Sequence, residues 1–566
     1  MGSHRAWLTG VVVATGGAML AACAPLPSVA PGVSPPLATS AIIVTNEAGD
    51  RLARRPDVLF VDGAASGAVI DVFPSDVRQT LLGIGSSFTE SSAFVLAHLE
   101  PARRLEVMRE AFGEQGANFS LARTPIGSTD FSVEGKYSYA PAPGDVALAS
   151  FSTAPDRAGF DASRYPQVMD DTYDVLPMIT EALAIKSEQA AQDLRIIASA
   201  WTAPPWMKTI DTWYINPTPE TNWQGTGGEL KSQYESTYAD YLIRYLDDYA
   251  ARGVDIWGLT PVNEPHGNSG QWESMQFTPQ TQNRFIKKYL GPRLTRSDHA
   301  DIKLLIYDQN RDDLEAWTNL MFADPQTAPY LFGAAVHWYS STIDVYEDTF
   351  ERVNAAFPSF ALIHTEGTID DLGKPAPGGI LDPENFEESD WFGNDAFWWN
   401  ANATDWAYTA TWAPDAKNHP RYVPVHRYAR DIIVGFNHWL AGWIDWNLVL
   451  DANGGPNHVG NFCGAPIMID TQSGEIYYTP VYYVLAQLSS TIRPGDRAVR
   501  TQTTHSGLDA DTLHASASVN DDGLLSVQIL NTSQSPLDLA LRIGARHASI
   551  SMDANALYTI RVPLTP

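Results

Sequence analysis

Eight short apolar runs between residues 80 and 450, each closing on polar or aromatic residues, constrain the fold of this chain more than any other feature. They read TLLGIGSSF, ANFSLARTPIG, LRIIASAW, VDIWGLTPVNE, IKLLIYDQN, LFGAAVHWY, FALIHTE and LAGWIDWN. Helical patterns lie between several of them, as in ESTYADYLIRYLDDYAARG (235–253), which its glycine ends. Eight strands alternating with helices over roughly 370 residues predict an α/β fold, a (β/α)8 barrel with enlarged loops. Such a barrel carries its chemistry at the C-terminal ends of its strands. Those ends hold Glu90, Arg123, Trp201, Asn263 with Glu264, Tyr307 to Asn310, His337 to Tyr339, Glu366, and Trp446 with Asn447.

The flanks have a different texture. Residues 41–75 give short apolar runs with turn signals between them, and the chain after about residue 480 reads as β again, from YYTPVYYVLAQLSSTIRPGD onward. NDDGLLSVQILN adds a hairpin signal, Asp-Gly followed by period-two apolar positions. The expected organisation is therefore N-terminal strands at 41–75, a barrel over 76–480 and a C-terminal segment, 481–566, the two flanks joining in one β-sandwich beside the barrel.

Ahead of these, residues 1–22 read as an export signal: a basic n-region at Arg5, an apolar stretch from Ala6 to about Leu20, and small residues before Cys23. Leu20-Ala21-Ala22-Cys23 is similar to a bacterial lipobox, which makes Cys23 the expected lipidation site. Residues 23–40, rich in proline, would be the tether. The protein is expected to be exported and lipid-anchored to the bacterial cell envelope, at the outer membrane and periplasm or the cell surface, touching membrane only through that anchor. The one other cysteine, Cys463, then has no partner in the chain.

With 37 basic against 66 acidic residues, a formal net charge of −29, the chain lacks the cationic excess that phosphate contacts require, so nucleic acid is excluded as a partner. Seventeen tryptophans and 23 tyrosines suit sugar rings, whose C–H faces stack on aromatic surfaces, although core packing also takes such residues. No metal-ligand spacing and no phosphate loop occurs, and neither metal nor cofactor is expected.

Two glutamates carry the functional reading. Glu264 follows a buried run and precedes Pro265, which stops further strand pairing; Glu366 follows Phe360 to Ile363 and precedes Gly367. They end the fourth and seventh strands, on opposite sides of one barrel mouth, and paired carboxylates so placed suit glycoside hydrolysis.

The motifs also resemble glycoside hydrolase family 30, in its glucocerebrosidase (glucosylceramidase)-like branch. The resemblance rests on QTLLGIGSSFTESSA (79–93), LARTPIGSTDFS (121–132), ASAWTAPPWMKT (198–209), VNEPHG, WESMQFTP (272–279), AVHWY (335–339) and GWIDWNLVLDANGGPNHVGNF (442–462). It implies a retaining β-glycosidase acting on β-glucosidic bonds of a carbohydrate or glycolipid, a glucosylceramidase-like exo-β-glucosidase. Sister activities (β-xylosidase, β-fucosidase, endo-β-1,6-glucanase) and, more remotely, a non-catalytic glycan-binding lipoprotein are the alternatives. By position it makes Glu264 the general acid/base and Glu366 the nucleophile, with Arg123 bonded near the nucleophile to keep it ionised. Trp201 and Trp446 would line the sugar site, Asn263 and Asn461 would bond hydroxyls, His337 and Tyr339 would border the pocket, and Trp272 would stand at the rim. Glu90 would bond distal sugar hydroxyls. The chain departs from the family pattern at His364 and Thr365 and in the aromatic insertion at 388–414, which leaves the aglycone undetermined. The sequence assigns no oligomeric state.

Overall fold

The computed structural model describes residues 37–133, 135–189, 194–369, 391–401 and 422–564. The expected signal, Cys23, most of the tether and most of the 388–414 insertion lie outside these residues. No helix among the described residues is long and apolar enough to cross a membrane.

The eight runs form eight parallel strands: β1 (Gly83–Ser87), β2 (Leu121–Ile126), β3 (Arg195–Ala200), β4 (Gly258–Thr260), β5 (Lys303–Asn310), β6 (Leu331–His337), β7 (Ala361–Glu366) and β8 (Leu440–Asp445). They pair in chain order, and β8 returns to β1 to close the barrel. β4 is shorter than VDIWGLTPV suggests, because the chain reaches the barrel wall only at Gly258.

Strand side chains alternate faces, so inward positions recur every second residue. One inward layer is apolar: Leu121, Ile197, Leu305, Ala335 and Ile363 share a core inside the barrel with Leu82, Ala441 and Ile444. Two residues further on, four of those strands place Arg123, Ser199, His337 and Thr365, all buried. The barrel is thus plugged by hydrocarbon below and floored by polar groups above, which confines the chemistry to one end.

The helix Glu235–Ala250 buries Tyr238, Tyr241, Leu242, Tyr245, Leu246 and Tyr249, the spacing of a single helical face. Gly253, at φ +80°, then turns the chain toward β4.

The stretch read as β from YYTPVYYVLAQLSSTIRPGD onward is corrected in part: Tyr477 and Tyr478 end the strand Glu475–Tyr478, but the residues after them do not continue as β. Pro480–Thr491 is an α-helix, the one that follows β8, and the barrel layer extends past residue 480. Thr479 caps it by accepting from the Tyr482 N–H, and Pro480 opens its first turn. Its buried Val481, Val484, Leu485 and Leu488 follow helical spacing, so burial of that face overrides the β preference of Val and Tyr.

Strands from both flanks hydrogen-bond into one ten-stranded sheet, with Ala41–Asn46 against Ala556–Pro563 and Ala68–Thr80 between Arg497–Thr504 and Leu537–Ile543. The inward side chains of both halves, among them Ile42, Val72, Val527, Leu541 and Ile560, share one core separate from the barrel's. The sheet folds over this core as a sandwich. Gln487, on the last barrel helix, accepts from Thr45 Oγ1 at 2.7 Å and donates to the carbonyls of Ile43 and Leu557, tying sandwich to barrel.

Behind β7 sits a buried ion pair. Arg311, just past β5, bonds both Asp431 oxygens at 2.6 and 2.8 Å, and Trp443 Nε1 donates to the same carboxylate at 2.8 Å. Burial pushes Asp431 up, but Arg311 outweighs it and holds the carboxyl at about 2. Asp431→Ala leaves the guanidinium unpaired in the interior and is expected to cost about 3–5 kcal/mol, read as a lower urea midpoint at pH 7. An unchanged midpoint contradicts this account of the pair.

Candidate active site

The floor of the barrel mouth is organised around Asp308. Its Oδ2 accepts from Arg123 Nη2 (2.9 Å), Ser199 Oγ (3.1 Å) and Thr260 Oγ1 (2.7 Å). Its Oδ1 accepts from Thr365 Oγ1 (2.6 Å) and lies 3.0 Å from His337 Nε2. Partners thus come from β2, β3, β4, β6 and β7. Burial pushes this carboxyl up, but Arg123, His337 and Thr365 together hold it well below the usual carboxylate range. Asp308 sits in a bulge: pairing with β6 passes from Tyr307 to Gln309 and skips it, and Tyr307 and Asp308 adopt φ of +74° and +66°. Side chains other than glycine avoid that region at a cost of about 1–3 kcal/mol each. The five hydrogen bonds over-determine the conformation and offset that cost.

The bulge also sets the first glutamate. The Asp308 carbonyl accepts from the Glu264 N–H at 2.9 Å, and Glu264 itself lies at φ +48°, between Asn263 and Pro265. Its Oε1 is 3.4 Å from His337 Nδ1. Across the mouth, Glu366 accepts from Arg123 Nη1 on one oxygen and from the Tyr339 hydroxyl at 3.1 Å on the other. Glu264, His337 and Glu366 each place one polar atom within 4.8 Å of the others. That trio has the spacing of a metal ligand set, but His337 faces carboxylates with both nitrogens and therefore presents N–H groups rather than lone pairs.

Charge explains the protonation. Burial pushes His337 down, yet Glu366, Asp308 and Glu264 together raise it to about 9. Burial raises Glu366 above the ordinary glutamate value, and His337 and Arg123 pull in the opposite direction without cancelling it. The expectation that Arg123 sits against Glu366 is met in geometry, while desolvation has the larger effect on its protonation.

Above the pair opens a cleft of about 400 Å³. Trp201, Asn263, Trp272, Tyr339, Trp446 and Asn461 line it with the two glutamates. Trp201 and Trp446 stack at 4.9 Å, with the Arg123 guanidinium 4.8 Å from the Trp201 ring. Arg123 and His337 lie beneath, fully buried.

Glu90 is not brought to the cleft. It opens the helix Glu90–Ala97 and accepts from the Val133 N–H at 3.0 Å, holding the loop after β2 from behind. The acid that faces the cleft from that loop is Asp130, bonded to Asn461 Nδ2 at 3.0 Å. Burial, then the Glu366 charge, raises Asp130 well above the ordinary aspartate value. Asp130 stands in GSTDFS, four residues past the end of β2, so the strand-end argument that selected Glu90 selects it equally.

A second pair, also outside the sequence reading, fastens this rim. Glu273, wholly buried, accepts from Ser128 Oγ at 2.8 Å and lies 3.1 Å from His458 Nε2. His458 Nδ1 is 3.0 Å from the Ser132 carbonyl, which can only accept, so that nitrogen carries a proton. The loops after β2, β4 and β8 are laced together at this point.

Comparison with known proteins agrees with this architecture. Residues 81–375 and 410–492 match the Glycosyl hydrolase family 30 TIM-barrel domain, and residues 498–560 match the Glycosyl hydrolase family 30 beta sandwich domain. The chain is similar to the lysosomal acid glucosylceramidase of Mus musculus, 28% identical over 522 residues, covering 91% of this chain and 87% of that one. It is also similar to the endo-1,6-beta-D-glucanase of Neurospora crassa, 25% identical over 469 residues, covering 82% and 81%. Among solved structures, SrfJ from Salmonella typhimurium superposes with a TM-score of 0.72 at 25% identity, over 93% of this chain and 99% of that one.

Two outcomes follow from the geometry. Because His337 titrates higher folded than unfolded, its contribution to stability is full below about pH 6.5 and is lost as pH rises through about 9. The difference in urea midpoint between the parent and His337→Gln should therefore shrink across that window; a difference that grows contradicts the assignment. His458→Ala should speed amide exchange in 127–133 and 455–463 while leaving 303–310 protected, and equal exchange in all three would show that His458 does not fasten the rim.

Proposed function

This chain belongs to glycosyl hydrolase family 30, and from that membership and the site geometry we propose that Glu366 and Glu264 hydrolyse β-glucosidic bonds by double displacement with retention of configuration. The observation that carries the proposal is the approach of one oxygen of each carboxylate to within 4.8 Å. So close an approach favours a retaining pair, whose carboxyls stand roughly 5–5.5 Å apart, over an inverting pair, whose carboxyls stand about 6.5–9.5 Å apart around a water.

The two glutamates differ in the way the reaction requires. Glu366 is held by Arg123 on one oxygen and Tyr339 on the other, and it lines the cleft. Its Oε attacks the anomeric carbon, the glycosidic C–O bond breaks, and Glu264 gives its proton to the departing oxygen. Glu264, now ionised, takes a proton from water as that water attacks the glycosyl ester; the sugar leaves and Glu366 is free again. His337, cationic between Glu264 and Asp308, holds both carboxylates in place and lends positive charge beneath the cleft. Asp130, Asn461 and Asn263 face the glycon as hydrogen-bonding groups, and Trp201 and Trp446 offer it an aromatic wall. The glucose preference is supported by the likeness to the glucosylceramidase and glucanase relatives.

Glu366→Gln should reduce turnover of 4-nitrophenyl β-glucoside to background. Glu264→Ala should lose about 10²–10⁴-fold on poor leaving groups and much less on a 2,4-dinitrophenyl glycoside, which departs unprotonated. Since Glu366 must be ionised to attack and burial raises it, the acid limb of kcat/KM should fall above the ordinary glutamate value of 4.5. The product of the parent, followed by NMR, should appear first as the β-anomer. An α-anomer first, or full activity in both variants, overturns the proposal, whereas preference for the xyloside, fucoside or galactoside would keep the mechanism and change the glycon.

A further inference from the structure

We infer that the leaving-group half of the cleft is built for a hydroxylated, sugar-like aglycone and not for a lipid. The inference rests on the retaining mechanism above, because the group that protonates the leaving oxygen must stand beside the aglycone. Glu264 ends β4, so the aglycone side is the side formed by the loops after β4, β5 and β6. The opposite side, where β8, β2 and β3 bring Trp446, Asn461, Asp130 and Trp201 together, faces the glycon.

Among the described residues, no aliphatic side chain lines this cleft. The aglycone side presents His266, Asn268, Gln271, Gln309, Asp312 and Ser340, with aromatic surface only from Trp272 and Tyr339. Gln309 and its neighbour Asn310, also in the lining, are oriented by bonds that leave their other end for a ligand. Gln309 Oε1 accepts from the His266 N–H at 3.2 Å, and Asn310 Oδ1 accepts from the Tyr339 N–H at 2.9 Å. The amide N–H groups of both residues therefore remain as donors, and the Asp312 carboxylate, exposed at the same cleft wall, supplies an acceptor. Donors and an acceptor next to one aromatic face are the complement of a sugar ring, with hydroxyls around its edge and C–H groups on its face.

An alkyl-chain aglycone meets the opposite situation. Hydrocarbon gains free energy only where apolar surface receives it. Here it would strip water from amides and a carboxylate without returning any hydrogen bond, which penalises binding for each group left unpaired. The relatives include proteins named for each kind of aglycone, glucosylceramidase and endo-1,6-beta-D-glucanase, so the family alone does not decide between them.

The test holds the glycon constant and varies what leaves. β-Glucosyl fluoride carries no aglycone beyond one atom, a panel of β-linked gluco-disaccharides carries a sugar, and glucosylceramide in mixed micelles carries a lipid. The parent should cleave at least one disaccharide with kcat/KM at least about tenfold above that for glucosylceramide. In Asp312→Ala the ratio of disaccharide to fluoride kcat/KM should fall by about tenfold, a loss corresponding to about 1.4 kcal/mol. Preference for glucosylceramide, or an unchanged ratio in Asp312→Ala, overturns the inference. Calorimetric binding to the Glu366→Gln protein reads the same half of the cleft without turnover. There a disaccharide should bind about tenfold more tightly than methyl β-glucoside, and equal or weaker binding counts against a sugar-binding half. Failure of the parent to hydrolyse the fluoride with retention would instead strike the mechanism, and the calorimetry would still decide the aglycone.

Discussion

One buried carboxylate, Asp308, holds the mouth of this barrel in its working shape. It accepts hydrogen bonds from residues on five other strands, and its own backbone carbonyl receives the Glu264 N–H. A regular strand could not do both, since its carbonyl would be committed to the ordinary ladder. The bulge at Tyr307 and Asp308 releases one residue from that ladder and turns it inward. Arg123 then spans from Asp308 to Glu366, so a single rigid network positions both glutamates, one through backbone and one through side chain.

The charge balance of the network suits the chemistry assigned to it. Two buried cations, Arg123 and His337, face three carboxylates, Asp308, Glu264 and Glu366. Buried ions are tolerated when paired and hydrogen-bonded, and this cluster is neutral when one carboxylate carries a proton. Asp308, with five donors, is held ionised, which leaves the catalytic pair to carry that proton. A retaining hydrolase needs one partner charged to attack and the other protonated to donate. The acidity of the whole chain is a separate matter of the surface; within the site, local pairing decides.

Much of this was legible in the sequence, for identifiable reasons. The eight strands showed because a barrel strand is buried on both faces and reads as an unbroken apolar run. Glu264 and Glu366 showed because a charge at the end of such a run has no structural excuse. The helix Pro480–Thr491 was misread because Tyr and Val speak for strand locally, while the helical spacing of Val481, Val484, Leu485 and Leu488 serves a core that only the closed barrel creates. Glu90 was selected over Asp130 because both follow a strand, and only loop geometry decides which carboxylate turns toward the cleft. The role of Asp308 was hidden for a related reason: a bulge leaves no signature in period or propensity, and its partners lie up to 185 residues away in the chain.

The measurement that tests the central claim most directly is to trap the covalent intermediate. The parent would be incubated with 2,4-dinitrophenyl 2-deoxy-2-fluoro-β-glucoside, digested, and mapped by mass spectrometry. The account predicts stoichiometric inactivation with the fluoroglucosyl group on Glu366, in the peptide containing Ala361–Glu366. A label on any other residue, or turnover with inverted product and no label, would contradict it.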